Sequence, residues 1–87
     1  MINVNEVLGR LEKMVGAEFD ESDVIVAFES DKDIIVNKVE GQESNFKGHG
    51  ICTCYNAYEN TEDSEIFTIY VNTDNEIVEV FIIWLRK

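Results

Sequence analysis

The 87-residue chain reads as an α+β fold, with one N-terminal amphipathic helix packed on an antiparallel, meander-like sheet of about five strands. Three observations lead there. Residues 2–16 place apolar side chains at helical spacing. Apolar, β-branched runs then recur between short turn-forming segments. The last run, from Ile77 to Leu85, has eight apolar residues in nine and contains no Gly or Pro.

In residues 2–16, Val4, Val7, Leu8, Leu11, Met14 and Val15 fall at i, i+3, i+4 and i+7, one stripe of a helix. Asn3 stands where a cap is needed and Glu6 three residues on, the spacing of a capping box. Ile2 and Val7 occupy the positions of a hydrophobic staple. Gly16 supplies the residue past the helix end that most easily turns left-handed. Gly9 lies inside the helix at a cost of about 1 kcal/mol relative to Ala; a close backbone approach would require it, but simple tolerance is the expectation.

The acidic connection 17–23 follows, with Phe19 expected to tuck back into the core. Val24 to Phe28 is expected to be a short strand. The turn Ser30-Asp31-Lys32-Asp33 would join it in a hairpin to a second strand, Ile34 to Val39. Residues 40–50 contain Gly41, Gly48 and Gly50 and read as a mobile loop. Strands follow at Ile51–Tyr58 and Glu65–Val71, and Asn72-Thr73-Asp74-Asn75 turns the chain into the final one. That last strand is so apolar that it is expected in the middle of the sheet, covered on both faces. The hairpin spanning 65–85, through Phe67, Ile69, Val80, Phe81, Ile82 and Trp84, should hold the core.

No internal repeat or boundary divides residues 1–87, which read as a single domain. With 45% apolar residues the chain can form a core despite its charge. Its net charge is −11, from 18 acidic and 7 basic residues. Residues 1–16 are neutral overall, with Glu6 and Glu12 balancing Arg10 and Lys13. Residues 17–79 hold 16 acids against three lysines, a net of −13. Direct binding to nucleic acid or an anionic membrane needs a basic footprint and is therefore not expected. The first residues lack both a basic segment and an apolar one of signal-peptide type, and the two cysteines are expected to be free thiols in a cytoplasmic protein.

The acidic loops are the candidate site. Glu18, Asp20, Glu21 and Asp23 precede the expected first strand, Asp31 and Asp33 lie in the first turn, and Glu59, Glu62, Asp63 and Glu65 in a later one. In a meander, the 31–33 and 59–65 turns can emerge at one end of the sheet and focus a negative field on a basic protein partner. The expected function is a non-enzymatic, acidic protein-binding module without cofactor or metal. Its composition suits an inhibitor carried by a phage or mobile element, aimed at a nucleic-acid-binding protein. An alternative is a homodimer or other homo-oligomeric accessory subunit that uses the apolar C-terminal strand as its interface.

A second alternative is a small zinc or thiol site at His49, Cys52 and Cys54. In a strand the two cysteines face one side, but a structural zinc wants four ligands and usually a wider cysteine spacing. Asp31-x-Asp33 and Asp20-Glu21-x-Asp23 lack the glycine and distal glutamate of a calcium-binding loop. Tyr55, Tyr58, Tyr70 and Trp84 have no basic residues interleaved, so they read as core and sheet surface and not as a stacking platform.

Overall fold

The structure, a computed structural model, describes residues 3–45, 48–61 and 64–83, with 40–45 described by their backbone. Two helices and a four-stranded antiparallel sheet make up an α+β domain. The first helix, α1, spans Val4–Glu12. Asn3 caps it as its position suggests, its side chain accepting from the Glu6 N–H at 3.2 Å. The apolar stripe buries Val7 and Leu11 and lays Val4, Leu8 and Met14 against the core. The staple involves Ile2 and falls outside the described residues. Past the helix, the chain winds through turns to Gly16, whose φ of +93° is open to glycine at little cost.

Residues 24–28 are not a strand. They belong to a second helix, α2, over Glu21–Phe28. Asp20 caps it by accepting from the Ser22 N–H at 2.9 Å, and Glu21 and Asp23 lie in the first turn, where negative charge suits the helix dipole. Val24, Ala27 and Phe28, at i, i+3 and i+4, are all buried. A five-residue apolar run satisfies either period. Here the sheet's open face decides, because a helix covers it more completely than an added edge strand would. The Ser30–Asp33 turn therefore joins a helix to a strand instead of closing a hairpin.

The strands are β1 (Ile34–Asn45), β2 (Ile51–Glu59), β3 (Ile66–Val71) and β4 (Ile77–Ile83). Their order in the sheet is β1-β2-β3-β4, a simple meander with one strand fewer than the sequence suggested. β1 continues to Asn45, so most of the expected 40–50 loop is strand backbone. Its ladder breaks between Val39, opposite Cys54, and Ser44, opposite Cys52. The β3–β4 turn is built by Asn72, whose side-chain oxygen accepts from the Asp74 and Glu76 N–H groups, while Asn75 takes a left-handed φ of 65°.

β4 is not central. It is an edge strand, because consecutive pairing leaves the last strand of a meander with one neighbour. Its apolarity is also divided between two environments. Ile77, Val80 and Ile82 join the core beneath the helices. Phe81 pairs with Thr68 and Ile83 with Ile66 on the opposite face, where Ile83 is exposed. Trp84 and Leu85 lie outside the described residues.

Both helices cover a single face of the sheet. Phe28 meets Phe67 edge-on at 5.2 Å, and the expected tuck of Phe19 is a stack on Tyr55 at 4.4 Å. α1 packs against β4 and α2 against β1. The opposite face carries Val39, Cys54, Tyr70 and Glu79 in one cross-strand row and Asn37, Asn56, Thr68 and Phe81 in the next.

Candidate functional site

Helix α2 concentrates the unusual surface chemistry. A helix with one buried face normally turns polar residues outward. In α2 the outward face instead carries Ile25, 40% exposed, and Val26, 71% exposed. Exposed carboxylates flank them along the chain: Asp20 and Glu21 at the start of the helix, Asp23 one turn before Val26, Glu29 one turn after it, then Asp31 and Asp33 in the turn that follows. The helix has no basic residue of its own in its last turn.

That end is held from α1. Arg10 donates through Nη1 to the Ala27 carbonyl at 2.8 Å and through Nη2 to Glu29 Oε1 at 3.2 Å, with Glu6 3.5 Å from the same nitrogen. A guanidinium thus satisfies a carbonyl left open at the helix end and opposes its negative pole. Glu29 stops the helix in a left-handed conformation (φ 49°, ψ 41°).

The ten acids singled out in the sequence do not form one cluster. Glu18 bridges to Glu76, at the end of the sheet where β3 turns into β4. Asp20, Glu21 and Asp23 belong to the start of α2. At the opposite end of the sheet, the Ile34–Glu59 pairing and an Asn60 N–H donating to the Asp33 carbonyl at 2.8 Å set the 31–33 turn beside the end of β2. Glu59 leaves the candidate surface. It is 8% exposed, and its Oε2 accepts a hydrogen bond from Ser30 Oγ. The sequence placed it in a solvated turn, but pairing with Ile34 makes it the last residue of a strand, where the Ser30 hydroxyl meets its carboxylate. Its backbone N–H donates to Ser64 Oγ at 2.9 Å. Glu65 is half-buried. Glu62 and Asp63 lie outside the described residues.

The thiols sit elsewhere. Cys52 and Cys54 are free and buried, and Cys54 lies on the helix-free face beside Tyr70. Burial pushes both thiols up, against a smaller downward pull on Cys54 from its hydrogen bond with Tyr70. Tyr70 is raised in turn, first by burial and then by the neighbouring Cys54. High thiols are protonated at neutral pH, which is poor for nucleophilic or metal chemistry. His49 is exposed, and among the described residues no group of three or more His, Cys, Asp or Glu could hold a metal ion.

The tyrosines divide between the faces: Tyr55 stacks with Phe19, whereas Tyr58 and Tyr70 lie on the helix-free side. There a cavity of about 290 Å³ is lined by Asn37, Asn56, Tyr58, Thr61, Ser64 and Ile66. Its amides are already engaged, Asn37 Nδ2 donating to the Tyr58 hydroxyl and Asn56 Oδ1 accepting from Thr68 Oγ1. No helix among the described residues is long and apolar enough to cross a membrane.

No family model, curated protein or solved structure matches the chain.

Sequence reasoning missed Ile25 and Val26, because a strand at 24–28 would have buried one of them. The usable signal was Asp20, an N-cap residue with acids at the next and third positions after it.

Proposed function

We propose that the chain is a non-enzymatic protein-binding module that engages a basic protein surface through α2. The observation that carries this reading is the Ile25–Val26 pair, exposed on a helix and flanked along the chain by the exposed acids Glu21, Asp23, Glu29 and Asp31. An apolar contact inside a charged rim is the arrangement of a protein interface, with the anchor supplying affinity and the rim steering the approach. Charge complementarity names the partner: apolar at its centre, lysine- and arginine-rich around it. A nucleic-acid-binding protein presents such a surface, and occupying it would inhibit that protein.

Substitutions must respect the helix. Asp20 caps α2 and Glu29 holds Arg10, so altering either would confuse binding with folding. Val26→Ser removes the anchor at a solvent-facing position, and the double variant Glu21→Gln/Asp31→Asn removes rim charge. The chain is immobilised, proteins retained from host extract at low salt are identified, and their affinities are measured singly. A basic partner whose dissociation constant rises at least tenfold with Val26→Ser, about 1.4 kcal/mol, supports the reading. It should also weaken with added salt and with the double variant. Retained proteins indifferent to Val26→Ser and to salt would refute it.

A further inference from the structure

We propose that β4 is a self-association edge, along which two copies pair their Val78–Ile83 segments antiparallel and form one continuous eight-stranded sheet. An edge strand directs a row of backbone N–H and C=O groups away from its sheet, and most proteins blunt it with lysine, proline, a bulge or a cover. In β4 these devices stop at its beginning. Gly16 N–H donates to the Ile77 carbonyl at 2.7 Å, Ile77 N–H to the Ala17 carbonyl at 3.0 Å, and Glu18 bridges to Glu76. Tyr70 faces Glu79 while Val71 faces Ile77, so Val78 is an extra residue at the same place. From Val78 on, no described strand lies along this edge. The segment contains no Lys, Gly or Pro, and Glu79 is its one charged residue.

Symmetry and charge select a second copy as the occupant. In an antiparallel pair of identical strands the two-fold axis passes where a residue faces its own counterpart. Centred on Val80 or on Phe81, such a pairing sets Glu79 against Phe81 or Ile83, never against the other Glu79. Like charges directly opposite, which would destabilise the ladder, are avoided. A molecule of net charge −11 also needs a neutral approach to its own copy. The β4 edge comes nearest to it: Glu79 is the one charge within the paired segment and the helix packed there is α1, in a stretch of two acids and two bases, whereas the acidic α2 packs against β1 at the other side of the sheet.

This inference does not rest on the α2 reading, and salt separates the two. Screening should strengthen association of like-charged copies and weaken a basic–acidic complex. Sedimentation of the intact chain over a wide concentration range should show a monomer–dimer equilibrium. Exchange of the Val80 and Ile82 amides should slow as concentration rises. Ile83→Lys, at an exposed position, should raise the dimer dissociation constant at least tenfold, as should Val78→Lys, whereas Ile51→Lys, an exposed apolar position on β2, should leave it unchanged. A chain monomeric throughout that range overturns the proposal. So does a dimer in which the 78–83 amides exchange as fast as in the monomer, a readout that needs no variant.

Discussion

At single residues, the structure reassigns side chains whose types were plain in the sequence. Glu59 looked like one acid among many, yet it is buried against Ser30, whose Oγ also accepts from the Lys32 N–H at 3.0 Å. Ser30→Ala would leave that carboxylate short of a donor and should cost about 1–3 kcal/mol in a urea melt. Glu59→Gln keeps an acceptor for the hydroxyl and should cost less. The thiols carry a pH dependence whose sign follows from their raised values. Folded Cys52 and Cys54 hold their protons to higher pH than the unfolded chain does. Their contribution to stability is therefore complete below the unfolded thiol value of about 8.5 and is lost as pH rises through the folded values. Denaturation midpoints should fall on the alkaline side of that value, and a Cys52→Ala/Cys54→Ala chain should show a shallower fall. Equal slopes for the two chains would remove the thiols from the explanation.

Among the elements, α1 and α2 contrast in how much their sequences reveal. α1 has a cap, a stripe and a polar side, and the structure uses all three. Within it, a side chain at Gly9 would meet nothing within 4 Å, so no close approach requires the glycine. Gly9→Ala should then stabilise the protein by about 1 kcal/mol, the difference in helix propensity. An unchanged or lowered thermal midpoint would mean that Gly9 serves a purpose the packing does not display. α2 has a weaker signature because its outward face is apolar as well as its inward one. For the same reason, the element that was hardest to read carries the proposed contact.

For the molecule as a whole, the helices and one sheet face make a core in which Phe67 and Phe28 are almost fully buried. Phe81 looked equally central from the sequence but stands on the helix-free face, half-buried and edge-on to Tyr70 at 5.9 Å. Phe67→Ala should cost about 3–5 kcal/mol, a large part of the roughly 5–15 kcal/mol that holds a small domain together. Phe81→Ala, at a half-buried position, should cost less. Comparing the two in denaturant tests this placement: equal losses would mean that Phe81 is packed as deeply as Phe67.

The chain alone was enough for whatever depends on neighbours a few residues away. Asn3 and the stripe behind it specify α1, Asn72 and Asn75 the last turn, and the β-branched runs the four strands that were observed, since caps, turns and periodicity act locally. Three assignments depended on contacts distant in sequence. The Val24–Phe28 run fits a strand or a helix, and only the sheet face it covers selects the helix. The apolarity of β4 records burial without recording the neighbour, so the same residues suit a central strand or an edge. A carboxylate at position 59 is a solvated acid or a buried acceptor according to whether Ser30, 29 residues away, is folded against it. Local chemistry proposes the elements, and the free energy of burying one against another decides between proposals of similar local cost.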